Sequence, residues 1–181
     1  GEARHIGVAL TDPATQGMVI ENVYIPAGGD EPDPAINRKF RHKLDFVAEM
    51  NTVRAEADAN SASVLVGDLN IAPREHDVWS HKQLLNVVSH TPVETESFEA
   101  MRKGGGWVDL MRHQVPDEQK LYTWWSYRAK DWRASDRGRR LDHIWSSDNL
   151  LPVFSGYDIF ADARDWQKPS DHVPVLARFD I

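Results

Sequence analysis

The chain has 181 residues, 41% apolar and 27% charged, and 21 basic against 28 acidic side chains give it a formal net charge of −7. That length suits one domain, able to bury roughly 70% of its unfolded surface in a proper core. The absence of cysteine excludes a disulfide framework and a thiolate metal site and fits a reducing, cytoplasmic location, and no apolar run approaches a membrane span. The start, GEARHIGVAL, has neither the basic head nor the apolar core of a secretion signal. The acidic balance argues against a surface that binds nucleic acid everywhere, although a local basic stripe is enough for binding.

In chain order, HIGVAL and GMVIENVYIP are rich in Val and Ile and read as strands. GGDEPDPA is a loop in which Asp33 can cap a helix, with Pro34 at the first position where a missing N–H costs nothing. From Ile36 the apolar positions Phe40, Leu44, Val47 and Met50 follow helical spacing, which predicts a helix to about Ala59. SVLVGDLN is a buried-type strand ending in Gly-Asp. Residues 71–92 are polar and irregular, with a helix expected at 77–87, and VETESFEAMRKGGG reads as a helix stopped by three glycines. YTWWSYR, RRLDHIWSS, PVFSGYDIF and VPVLARF all have strand character. Strands mixed with two or three helices and no regular βαβ rhythm predict a layered α/β fold with a mixed, largely antiparallel sheet.

Several stretches carry polar groups that a plain strand does not need. In VLVGDLN a strand sets Asp68 and Asn70 on one face, roughly 7 Å apart, at a strand end. They are either an Asx turn or an anion and an amide aimed at a ligand. In RRLDHIW, alternation sets Leu141, His143 and Trp145 on one face and Asp142 with Ile144 on the other. A carboxylate on a packed face needs a partner, which is either a neighbouring arginine or a histidine other than His143. Ser170, Asp171 and His172 are contiguous and so cannot form a nucleophilic triad, whose members converge from separated positions. An arrangement in which His172 meets Asp142 and leaves Asp171 free for a metal satisfies both. Tyr24 stands at a strand end before Pro26, as a phosphate donor or an ordinary tyrosine. From Arg128 to Arg140 six basic residues face two acidic ones, beside Trp124, Trp125, Tyr127 and Trp132. Such a loop is either solvated charge over core tryptophans or a surface that stacks and holds nucleic acid. Gly104–Gly106 lack the Lys-Ser/Thr of a phosphate-binding loop, and His76, His81, His90 and His113 lack zinc spacing and read as surface residues.

NVYIPAG, GDLN, YTWWSYR, GRRLDHIW and KPSDHVPV, in that order from residue 22 to 175, resemble the exonuclease III/AP endonuclease family of the DNase I-like endonuclease/exonuclease/phosphatase superfamily. The resemblance implies a four-layer α/β sandwich in a single domain over 1–181. It implies Mg²⁺- or Mn²⁺-dependent hydrolysis of DNA phosphodiesters, 5′ to abasic sites and from 3′ ends of double-stranded DNA. By the same resemblance Tyr24, Asp68, Asn70, Asp142 and His172 are catalytic, and Asp171, Asp68 and Asn70 are candidates for holding the metal. Trp124, Arg128 and Leu141 would contact substrate. Mg²⁺ suits an oxygen-rich site without cysteine, and an abasic sugar leaves the helix cheaply because no base pair is broken.

The chain departs from the family pattern in two places. The strand with an Asn and the strand ending in a Gln-Glu motif, whose glutamate is the family's main metal ligand, are missing. The sequence therefore reads as a C-terminal portion or a shortened form, with weakened metal binding and with exposed strand edges through which a dimer could form. Ala27 stands where relatives often carry an amide that touches phosphate. The alternatives are a superfamily phosphatase acting on a lipid or inositol phosphate, and a DNA-binding remnant without catalysis.

Overall fold

The structure is a computed structural model and describes residues 2–15, 17–55 and 61–181. Its strands are β1 (His5–Ala9), β2 (Val19–Val23), β3 (Ser63–Asp68), β4 (Trp107–Asp109), β5 (Trp124–Trp125), β6 (Gly138–Arg139), β7 (Asp142–Ser147), β8 (Phe154–Ile159) and β9 (Val175–Phe179). Its α-helices are α1 (Arg38–Ala55), α2 (His81–Leu84), α3 (Pro92–Gly104), α4 (Leu110–Gln114) and α5 (Trp132–Ser135). A five-stranded sheet runs in the order β1-β2-β3-β7-β4, with β2–β3 parallel and the other pairs antiparallel. Two two-stranded sheets, β5–β6 and β8–β9, complete the set.

The centre of the large sheet, around β3 and β7, is covered on both faces because these strands carry apolar side chains in both directions. On one face Val23, Leu65 and Trp145 pack with Val47 and Met50 of α1 and Phe98 and Met101 of α3. On the other, Val64 and Ile144, with Leu110 of α4, meet Phe154, Val175 and Phe179 of the β8–β9 pair. Helix pair, sheet and second sheet are three of the four expected layers. Among the described residues, the helices of three or more turns are α1 and α3, both in the first layer.

Local chemistry explains most boundaries. Pro92 occupies the first position of α3, Glu94 accepts from the Thr91 N–H at 3.1 Å, and Gly105 closes the far end on Met101 O. The cap of α1 differs from expectation. Asp33 closes a turn on the Ala35 N–H, whereas Asn37 Oδ1 accepts from Lys39 N at 3.0 Å at the helix start. The end expected near Ala59 lies outside the described residues. The helix expected at 77–87 shrinks to a 3₁₀ turn, Glu75–Asp77, and α2, because Asp77 is pulled inward by arginines. β1 is an open edge with all five residues exposed, Ile6 at 64% among them; the dimer expected from such an edge has no support among the described residues.

Gly67 is needed for the fold that builds the site. At φ 145° a Cβ there would lie 1.9 Å from Val23 O, so only glycine lets β2 and β3 converge just before Asp68.

A second organising feature is ionic. Arg140 is fully buried between Asp77 (2.9 Å) and Asp109 (2.7 Å), and Arg112 reaches Asp77 at 2.5 Å. Removing Arg140 leaves Asp109 without a guanidinium partner and Asp77 with Arg112 alone, both deep in the protein. Arg140→Ala is therefore expected to destabilise the fold by about 3–5 kcal/mol, read from urea unfolding midpoints; a loss below about 1 kcal/mol contradicts this account of the network.

Candidate active site

The site forms where three chain segments end together. β3 finishes at Asp68 and β7 begins at Asp142, and these residues are directly opposed in the antiparallel register. His172 arrives from the segment before β9, bridged to Trp124 of β5. His172 Nδ1 lies 2.8 Å from Asp142 Oδ2, and the Thr123 hydroxyl donates to the same oxygen at 2.7 Å. An ionised carboxylate only accepts, so the imidazole donates through Nδ1. Its Nε2 faces Asp68 Oδ2 across 3.9 Å, a gap that suits a bridging water or a phosphoryl oxygen. One ligand atom from each of Asp68, Asp142 and His172 lies within 4.8 Å of the other two, and all three side chains are partly exposed.

The electrostatics follow from that crowding. Burial, then the opposed Asp142, pushes the Asp68 carboxyl up to about 6. Burial pulls His172 down, but the hydrogen bond and charge of Asp142, with Asp68 and Asp171, outweigh it and leave the imidazole above its ordinary value. The site thus pairs an Asp68 carboxylate whose titration is moved toward neutrality with an imidazole whose protonated form is favoured by the acids around it. Asn70 joins Asp68 through a turn rather than by strand alternation. Its backbone is left-handed (φ 52°), its N–H donates to Asp68 Oδ1 at 3.1 Å, and its amide nitrogen donates to Asp68 Oδ2 (3.0 Å) and Ile25 O (2.9 Å).

The other expected residues divide. Tyr24 ends β2 at the level of Asp68, since Ile25 N donates to Asp68 O, and its ring is exposed. Asp171 turns away from the metal-capable group. Asp171 sits in a bend just before His172, and its carboxylate accepts from the Trp124 indole N–H at 3.0 Å. Leu141 is buried beneath Trp124 with Ala72, Val78 and Leu84 rather than open to ligand. Trp124 and exposed Arg128 do line a cavity of about 770 Å³ beside the cluster, together with Trp79, Trp125, Arg137 and Arg139. Arg137 lies over the Trp79 ring at 4.7 Å and Arg139 over Trp124 at 5.5 Å.

Sequence reading missed Thr123, Trp79 and Arg139. Arg139 was within reach of the alternation rule, being two residues before Leu141. The basic stripe is smaller than its count. Arg140 is consumed by Asp77 and Asp109, and Arg133 by Asp162 and Asp165. His90, expected at the surface, is buried between Ala72 O (2.6 Å) and His81 Nδ1 (2.8 Å). His143, as expected, is not the partner of Asp142: it donates to Ile71 O from the core, where burial lowers it to about 4.

A layered mixed α/β fold with an acidic, histidine-containing cluster at its strand ends defines the class. The chain belongs to the Endonuclease/Exonuclease/phosphatase family, which matches residues 7–172. An exodeoxyribonuclease of Bacillus subtilis is 30% identical over 175 residues, 93% of this chain and 66% of that protein. Exodeoxyribonuclease III of Haemophilus influenzae is 30% identical over 90% of this chain and 61% of its own length. Among solved structures, an AP endonuclease from Archaeoglobus fulgidus superposes with a TM-score of 0.87 at 27% identity, over 98% of this chain and 65% of that one. A 3′-5′ exonuclease from Neisseria meningitidis gives 0.84 at 30% identity, over 98% of this chain and 65% of that chain. The chain thus spans less than two thirds of the length of each of these four proteins.

Because the folded Asp68 carboxyl stands at about 6, above its model-peptide value of 3.8, its ionisation costs stability as pH rises through that window. Asp68→Asn is expected to stabilise the chelator-treated protein by about 1–3 kcal/mol at pH 8 and by nothing at pH 3.5. Thermal unfolding at the two pH values checks this; equal shifts at both contradict it.

Proposed function

We propose that this chain carries most of the active site of a metal-dependent DNA-repair nuclease of the exodeoxyribonuclease III type. Its substrates would be duplex DNA at abasic sites and at 3′ ends. The observation that carries the reading is the meeting of Asp68, Asp142 and His172 within 4.8 Å beside a cavity walled by Trp124, Trp79, Arg128, Arg137 and Arg139. Aromatic faces and guanidinium groups are what an unpaired nucleotide and its flanking phosphates require. A lipid or inositol headgroup has no aromatic base to stack on tryptophan, so the cavity favours DNA.

The Asp68 and Asp142 carboxylates fit a hard divalent ion in part; with His172 kept as a proton donor, most of the six positions around Mg²⁺ or Mn²⁺ would be filled by water and substrate phosphate. Such an ion supplies charge relief on the phosphoryl oxygens and at the leaving oxygen. The side chains do the rest. Asp68, ionised at neutral pH but close to its titration, accepts a proton from the attacking water. Asn70 fixes the carboxylate through both of its oxygens. His172, oriented by Asp142 and Thr123, presents Nε2–H to a phosphoryl oxygen. Tyr24, at the next strand end, donates its phenol to the phosphate.

Incubation with a duplex bearing one abasic site, in Mg²⁺ or Mn²⁺, is expected to yield a nick 5′ to the lesion that a chelator abolishes. Asp142→Asn, which costs His172 its charged partner, should lower the rate by about 10²–10⁴-fold. The rate of the wild-type chain should fall as pH drops through about 6, as Asp68 protonates. Salt-sensitive DNA binding without nicking under either metal would overturn the catalytic reading. Phosphate release from an inositol phosphate with intact DNA would overturn the choice of substrate.

A further inference from the structure

Helix α1 buries a lysine where its period calls for an apolar side chain. Phe40, Lys43, Val47 and Met50 form its buried stripe, and Lys43 is fully enclosed. Its ammonium meets Glu94 Oε1 at 2.5 Å, and Glu94 is fully enclosed as well. A buried ion pair is a poor way to stabilise a core, since well-packed apolar groups often serve as well. The pair invites a second explanation, and the remaining contacts of both side chains supply one.

Lys43 Nζ donates to the backbone carbonyl of Asn70 at 2.7 Å and makes a longer contact, 3.4 Å, with that of Ala27. These carbonyls belong to the two loops that leave the parallel strands β2 and β3. One loop follows Tyr24; the other carries Asp68 and Asn70. The loop after β2 is moulded to the lysine: at Gly28, φ 91°, a Cβ would lie 2.9 Å from Lys43 Cδ. Glu94 is fixed from the opposite side. Its carboxylate accepts from Ser89 N at 3.0 Å, Thr91 N at 3.1 Å and Thr91 Oγ1 at 2.7 Å, all at the head of α3. Asn70 itself sits in a left-handed conformation, which asparagine tolerates and which its turn onto Asp68 uses.

We propose that Lys43, anchored by Glu94, is a positioning residue: it clamps the Asn70 carbonyl against the Ala27 loop and so aims the Asn70 amide at Asp68. Lys43 is fully enclosed and touches no substrate; it holds Asn70 by contact, and its charge also bears on Asp68. The catalytic part of the claim rests on the reading of Asp68 and Asn70 as site residues; the structural part does not.

The test uses Lys43→Met/Glu94→Gln, which removes both charges together so that neither is left buried alone. In the wild type the Asn70 side-chain amide should give two well-separated, exchange-protected proton resonances, because it bonds Asp68 and Ile25. In the double variant this pair should move together and lose protection while the rest of the spectrum stays native. With abasic duplex as substrate, kcat should drop at least tenfold and KM change less than threefold, the split expected when orientation is lost and binding is kept. If the double variant does not fold, Glu94→Gln alone should move the Asn70 resonances in the same direction and lower kcat by a smaller factor. An unchanged Asn70 amide in a folded variant overturns the clamp. A changed amide with unchanged kcat overturns its catalytic relevance. An inactive wild type with the amide change intact refutes the nuclease reading and leaves the clamp standing.

Discussion

Two carboxylates facing each other across an antiparallel strand pair are the constraint on which the rest of this molecule turns. Asp68 and Asp142 occupy paired positions at the ends of β3 and β7. Like charges directly opposed in a sheet repel. The structure tolerates them because a third element brings a cation-forming group to the same place: His172 bonds Asp142 and faces Asp68. Thr123 adds a donor to Asp142, and Asn70 adds two to Asp68. Burial first, and this opposition second, raise the Asp68 carboxyl. A cluster that holds negative charge together at a cost is the kind of place where ligands and catalysis are found.

The architecture around this cluster serves to hold strand ends in register. Gly67 lets β2 and β3 converge. The Asp77–Arg140–Asp109 network pins the residue two before Asp142 into the interior. β5 and β6 carry Trp124 and Arg139 to the rim of the cluster, where they form one wall of the neighbouring cavity. Asp171 belongs to this second task rather than the first: by accepting from the Trp124 indole it orients the aromatic wall. Adjacent residues, Asp171 and His172, thus serve the two halves of the site, one the aromatic face and the other the acidic cluster.

Much of this was legible before any coordinates. Alternation separated Asp142 from His143 and left a neighbouring arginine or another histidine as its partner; the partner is His172. The ending of a buried strand at Asp68 was equally plain. What failed had physical causes. The bond from the Trp124 indole to Asp171 spans 47 residues and lay beyond any local pattern. Arg140 looked like part of a basic surface, but its partners Asp77 and Asp109 lie 63 and 31 residues away, beyond any local pattern. Lys43 was passed over because helical spacing was counted with apolar residues alone; counting by position would have found it three after Phe40 and four before Val47. The helix expected at 77–87 gave way to tertiary pull on Asp77.

The central claim is that Asp68, Asp142 and His172 form one cleft fit for a divalent ion and a phosphate. Manganese is paramagnetic and broadens nearby resonances, so a Mn²⁺ titration of the isotopically labelled chain followed by amide spectra tests the claim most directly. The claim predicts saturable broadening centred on Asp68, Asn70, Asp142 and His172, reversed by chelation. Broadening centred on other acidic residues, such as Asp117 or Asp162, or none that saturates, would contradict it.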